Sequence, residues 1–417
     1  MNTGSEAMRI ATSLLLVALS GLSIHCSAAD IHGRIALMDM ASFAKQDSLD
    51  ASLGYRNRDD LLGDLRLTWS PQWQGLDIDT AYQLSSGIGP THALLEREGA
   101  YLPAPQPTTL IDMEHTLVDR NNVYITHKID RLSFGYSTPH YVLRIGRQAL
   151  TWGSGMVFHP MDLIDPFSPA AIDTEYKPGV DMAYLQRLFA DGSDLQLVAT
   201  PRAGKNHGAI SSDSSTIAMH YHLPIHEINL NWLLARDYQD WTAGVGINGA
   251  WSGSSWNIEV VPTLDSRHDI RTSLLMNISA GTTLLNRNTT AFAEYFHNGF
   301  GTNKGTSLDM FPADLQERLA RNQLFNVSRN YLAAGGSMEW TPLITCSLTT
   351  IVNLDDDSFF VAGELNWSLS DNATLYTGLQ LPAGGKDTEY GGLPVIDHSA
   401  PYSSSPTSVY VQLRQHF

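Results

Sequence analysis

The feature that most constrains this chain is alternation with period two. Trp241, Ala243, Val245, Ile247, Gly249 and Trp251 fall on one side of a segment whose other side is Thr242, Gly244, Gly246, Asn248 and Ala250. Side chains of a strand point alternately to opposite faces, so such a segment is a strand with one apolar and one polar face. The pattern recurs in Ile228, Leu230, Trp232, Leu234; in Trp256, Ile258, Val260; in Ile270, Leu274, Met276, Ile278; and in Phe359, Val361, Leu365, Trp367. Aromatics bracket the apolar faces, and about ten residues per strand suits a tilted crossing of a bilayer. Helical periodicity is nearly absent. The exception is Pro312 to Arg321, where Leu315 and Leu319 share a face within a long connection.

Two folds satisfy alternation: a soluble sandwich whose apolar faces meet, and a barrel whose apolar faces meet lipid. Loop parity separates them, because a membrane barrel alternates short turns at one rim with longer loops at the other. Strands placed from residues 31 to 38 through 408 to 417 number 18; the segments 31 to 38 and 120 to 137 are the least regular, and 16 is the count without them. The five longest connections (86 to 119, 150 to 179, 201 to 214, 298 to 328 and 383 to 407) then share one rim. Short turns such as Ser370-Asp371-Asn372, Ser252-Gly253-Ser254 and Ala190-Asp191-Gly192 share the other. The expected fold is all-β: a transmembrane antiparallel β-barrel with a long inward or capping loop.

Composition fits. Charged residues make up 17% of the chain, against roughly 25% in soluble proteins, while hydrophobic residues reach 43%. A wall facing lipid explains the shortage. The net charge of −17 argues against nucleic acid as a partner. Residues 1 to 29 read as a cleaved secretory signal, with Arg9, an apolar middle and small residues before Asp30, which leaves 30 to 417 as one barrel domain. Without that signal Cys346 is the lone cysteine, so no internal disulfide is expected. Val409, Val411, Leu413 and Phe417 share a face of the last strand, which resembles the terminal strand of outer-membrane proteins, whose final aromatic is read by the barrel insertion machinery. The expected location is the outer membrane of a Gram-negative bacterium, with outer-membrane lipid as partner.

The segment Leu143 to Asp181 is the densest in unusual residues. It holds Gly146-Arg147-Gln148, then Trp152-Gly153-Ser154-Gly155, then His159-Pro160-Met161-Asp162-Leu163-Ile164-Asp165-Pro166. Gly-Arg-Gln followed closely by Trp-Gly resembles a motif of porin-like outer-membrane barrels, among them the alginate-export type and related uncharacterised families. The resemblance covers about 40 residues closely and implies passage of polysaccharides or small solutes, without fixing which.

Read from the residues themselves, 156 to 181 carries Asp162, Asp165, Asp173, Glu175 and Asp181 against Lys177, and four prolines stiffen it. Such a loop is a candidate for folding into the lumen, where carboxylates favour cations or hydroxyl-rich solutes; the bland alternative is a cap whose carboxylates pair with Arg147, Lys177 or Arg187. Arg147 shares parity with Tyr141, Leu143 and Ile145, which points it at lipid. Either a bulge at Gly146 turns it inward, or it lies in the headgroup layer. The pore candidates are therefore Arg147, Asp162, Asp165, Asp173, Glu175 and Lys177. Wall candidates, from the polar faces, are Asp79, Arg144, His220, His222, Glu259, Arg271, Glu364 and Arg414. His220 and His222 lack a third ligand, so no metal site is expected, and no cofactor or catalytic motif is evident. The expected function is a non-enzymatic channel for passive passage of small or polyhydroxylated solutes. The alternative is a scaffold barrel of an export or electron-transfer assembly with no open pore.

Overall fold

A computed structural model describes residues 31–99, 109–204, 209–304, 306–396 and 399–417; the signal segment lies outside the described residues. Eighteen strands form the wall: β1 (Ile31–Phe43), β2 (Asn57–Trp69), β3 (Leu76–Ile88), β4 (Val123–Ser137), β5 (Tyr141–Gln148), β6 (Val180–Leu188), β7 (Asp194–Thr200), β8 (Thr216–Ile225), β9 (Ile228–Asp237), β10 (Asp240–Trp251), β11 (Ser254–Leu264), β12 (Ile270–Leu284), β13 (Arg287–His297), β14 (Asn330–Thr341), β15 (Ile344–Asn353), β16 (Phe359–Ser368), β17 (Ala373–Ala383) and β18 (Thr407–His416). Each pairs antiparallel with its neighbours, and β1 pairs with β2 on one side and β18 on the other, which closes the ring. Closure leaves no unpaired edge, the condition for a sheet to cross lipid.

The period-two pattern sorts as the wall requires. On β10, Trp241 is 54% and Val245 49% exposed on the outside, while Thr242 between them is 1% exposed within. At one rim the connections are tight, including Ser252-Gly253 and Leu285-Asn286, in which both turn residues have positive φ. Paired positive φ values match the twist of a two-residue hairpin. The long connections 89–122, 149–179, 298–329 and 384–406 share the other rim, as parity demands. The first of these carries helix α1 (Thr91–Glu98), and 298–329 carries α2 (Ala313–Ala320), the helix expected from Leu315 and Leu319.

Two boundaries differ from expectation. The weak segment 31 to 38 is a full strand of 13 residues. The long segment 120 to 137 is β4 preceded by a separate strand, Glu114–Arg120, which pairs with β4 beyond the reach of β5.

Apolar residues also gather inside. Trp152, Met161, Leu163 and Ile164 of the 149–179 segment pack on Val180, Met182, Val198, Ala218, Leu233 and Val261 of the wall. Val157 and Phe158 pack on Leu275, Phe296, Tyr331 and Phe360. These clusters place part of the hydrophobic content inside the barrel, in addition to its lipid-facing side.

Candidate functional site: the segment folded into the lumen

Residues 149–179 descend into the barrel and touch the wall on opposite sides. The first anchor is built on the Trp-Gly-Ser-Gly motif. Trp152 donates its indole N–H to Gln196 (2.8 Å) and stacks on His220 (5.5 Å between centroids). The Ser154 N–H donates to Glu259 (2.6 Å). The backbone N–H groups of Met156, Val157 and Phe158 all donate to the Glu294 carboxylate, at 2.7, 2.9 and 2.8 Å. Asn277 joins the two, donating to Glu294 (3.1 Å) and to the Ser154 carbonyl (3.0 Å). Glycines are needed here: Gly153 has φ +87°, and a Cβ on Gly155 would collide with the Phe158 carbonyl oxygen.

The second anchor is the acidic stretch. Asp173 and Glu175 meet Arg34 of β1 at 2.7 and 2.9 Å and Arg414 of β18 at 3.6 and 3.5 Å. Glu175 also accepts from His416 (2.9 Å). Burial alone would raise the Glu175 pKa, but the hydrogen bonds from His416 and Arg34 hold it down at about 2. Between these residues the Tyr176 ring lies under Arg34 and Arg66, 5.0 and 4.4 Å from their guanidinium carbons. Arg66 in turn donates to Asp130 (2.7 Å), Gly179 N–H donates to Asp130 (3.3 Å), and Arg131 donates to the Lys177 carbonyl.

The third contact is internal. Lys177 donates to Asp162 (2.6 Å), to the Leu150 carbonyl (2.5 Å) and to Thr151 (3.3 Å), tying the two ends of the segment together. Burial raises the Asp162 pKa to about 6 against the pull of Lys177. Burial also lowers that of His159 to about 4, with the Lys177 charge adding to it. Asp165 is half-buried with φ 54°; burial raises its pKa, and the charges of Lys177, Lys128 and Arg202 oppose the rise.

Most of the acidic candidates therefore sit against cations. Asp162, Asp173 and Glu175 each hold a salt bridge, Asp162 with Lys177 as in the cap alternative and the other two with Arg34 of the wall. Lys177 is 7% exposed and spans the segment instead of lining an opening. The inward turn offered for Arg147 does not occur. The pairing of β5 with β6 has no register shift, and Arg147 stays on the outer face opposite Asp181. Its Nε and Nη2 donate to the two Asp181 oxygens (3.0 Å each), and Asp181 accepts the N–H groups of Leu110 (2.8 Å) and Ile111 (3.0 Å), which cover the pair. Arg147 is thus withdrawn from lipid without entering the lumen.

The eight wall candidates have inward parity, with varied partners. Arg144 faces Asp77 (3.4 Å), and Asp79 accepts from Ser70 (3.0 Å) near the short-turn rim. His222 meets Asp194 (3.2 Å) and Asn229 (3.1 Å), while His220 lies under Trp152, so the two histidines share no ligand position. Glu364 accepts from Tyr410 (2.7 Å), Arg271 faces Asp314 of α2 (3.4 Å), and Arg414 covers Tyr376 (4.1 Å). Phe417 exchanges backbone hydrogen bonds with Gly33 (2.8 and 3.0 Å) at the seam of the ring.

Sequence reading missed Glu294, Arg34 and Arg66. On β13 the inner face is Thr290, Phe292, Glu294 and Phe296 and the outer face Thr289, Ala291, Ala293 and Tyr295, so polarity does not distinguish them. Arg34 lay in the strand least regular by pattern. The available signal was a charge within a strand, Glu294 between two apolar neighbours on its own face.

No family profile matches the chain, and no curated protein matches it. Solved structures do. OccK5 (OpdH) of Pseudomonas aeruginosa superposes with a TM-score of 0.53 at 9% identity, covering 94% of this chain and 99% of that one. The fold is that of the bacterial outer-membrane porins. OccAB3 of Acinetobacter baumannii gives 0.52 at 9% identity over 93% and 99% of the two chains. Wzi of Escherichia coli, an outer-membrane protein involved in group 1 capsule assembly and described as a carbohydrate-binding β-barrel, gives 0.52 at 10% identity over 96% and 86%. The expectation of a porin-like barrel holds; the narrower resemblance to the alginate-export type rests on the Gly-Arg-Gln and Trp-Gly segments alone.

Proposed function

We propose that the protein is a non-enzymatic channel of the Gram-negative outer membrane that passes small, hydroxyl-rich solutes passively, narrowed by residues 149–179. The observation that carries this reading is the charge pairing of the intruding segment, with Asp173 and Glu175 against Arg34 and Arg414. A constriction of matched charges offers many hydrogen-bonding groups and little net field, which suits neutral polyols better than ions. The carbohydrate-binding description of Wzi supports the same solute class.

The test is single-channel conductance of the refolded barrel in a planar bilayer, with liposome swelling in neutral sugars. Conductance with a reversal potential near zero in a salt gradient is expected; strong cation selectivity would refute the pairing argument. The second reading, a scaffold barrel without an open pore, draws on the same segment's anchorage at opposite walls. No conductance in the wild type, and none after deletion of residues 156 to 177, would end the channel reading in its favour.

A further inference from the structure

On the long-loop rim, we propose that His92, Glu96 and Asp119 form a binding site for a first-row divalent transition-metal ion. Their ligand atoms lie within 4.8 Å of one another. His92 and Glu96 are four residues apart on α1, one above the other on the same helix face. Asp119 comes from Glu114–Arg120, and its Oδ1 is 2.8 Å from His92 Nε2.

The surroundings hold these groups in place. Asp60, 3% exposed on β2, accepts the Thr91 N–H (3.0 Å) and the Thr91 hydroxyl (2.5 Å), fixing the start of α1 to the wall. Tyr124 is the β4 residue in register with Asp119, and its ring packs against the His92 imidazole at 5.2 Å. One wall residue thus orients two of the three ligands. Supporting contacts of this kind are what fix ligand orientation in metal sites. A cavity of about 280 Å³ lined by His92, Asp119, Thr91, Asp60 and Tyr124 adjoins the cluster and leaves room for water to complete the coordination.

One imidazole nitrogen with two carboxylates is a donor set for Zn²⁺ and its neighbours, whereas all-oxygen sets suit Ca²⁺ and Mg²⁺. The ion would replace the His92–Asp119 hydrogen bond and tie α1 to the hairpin. Sequence reading passed over the site because the third ligand arrives from a separate strand 23 positions beyond Glu96.

The test is calorimetric titration of the tag-free, chelator-stripped barrel in detergent with Zn²⁺ alone. Saturable uptake of one ion per chain is expected, weakened about 10-fold or more by H92A and by D119N. Glu96 is exposed, so E96Q tests the site without touching the wall. The double variant H115A/H127A, which removes the nearby ring pair at 5.8 Å, should retain uptake. The proposal is overturned by absent saturable uptake, by uptake that survives H92A with E96Q, or by loss confined to H115A/H127A.

Discussion

Replacing Glu294 by Gln keeps the volume of the side chain and changes only what it can accept. In the native barrel Glu294 Oε1 takes the N–H groups of Val157 and Phe158, and Oε2 takes those of Met156 and Asn277. A glutamine offers one oxygen, so whichever way it turns its amide nitrogen faces two donors. Hydrogen bonds to charged groups contribute about 1.5–3 kcal/mol each. Loss of two therefore weakens the docked segment by about 3 kcal/mol or more, roughly a hundredfold in the local opening equilibrium. Hydrogen–deuterium exchange reads this directly: the amides of Met156, Val157 and Phe158 should exchange about a hundredfold faster in E294Q, with strand amides elsewhere unchanged. Glu259 supplies the control. Ser154 and Asn257 both donate to its Oε1, while Oε2 is buried without a hydrogen-bond partner, so E259Q can keep both bonds and should leave Ser154 protected. Unchanged protection of residues 156–158 in E294Q would refute the assignment of this carboxylate as the anchor.

Two further outcomes are expected. The Glu175 pKa is depressed from an ordinary 4.5 to about 2, so its grip on Arg34 and His416 is complete above about 4.5 and is lost as pH falls toward 2. Channel recordings across that window should show rising noise from a loosened segment, and E175Q should show it at every pH; a wild type as quiet at pH 2 as at pH 5 would contradict the reading. Arg147→Ala leaves Asp181 covered and unpaired, which should cost about 3–5 kcal/mol in denaturant unfolding, and the double variant R147A/D181A should recover most of it. Equal losses in the single and double variants would argue against the pair.

Much of the wall was legible because lipid imposes a local rule. Every crossing residue must face either hydrocarbon or the interior, and that choice is written as alternation in β10, β9 and β16, while the parity of loop lengths fixes which rim is which. The same rule placed Asp79, Arg144, His220, Glu259 and Arg414 on the inner face, and it carried the strand count to 18. It said nothing about partners. Arg147 reads as a charge aimed at lipid, and only the register that sets it beside Asp181, with residues 110 and 111 over both, explains how it is tolerated.

The intruding segment marks the other limit. Its acidic residues were visible, yet the partners of Asp173 and Glu175 come from β1 and β18, as far as 241 positions away for Glu175 with His416. Side-chain periodicity is a property of the strand alone, so a closed β-wall with a lipid-facing side and a stiff, acidic loop at one rim could be read from the chain. That this loop enters the lumen, and that Asp173 and Glu175 are neutralised by wall arginines, emerges only from the folded barrel. Charge pairing depends on which strands curvature brings face to face, and no local pattern encodes that.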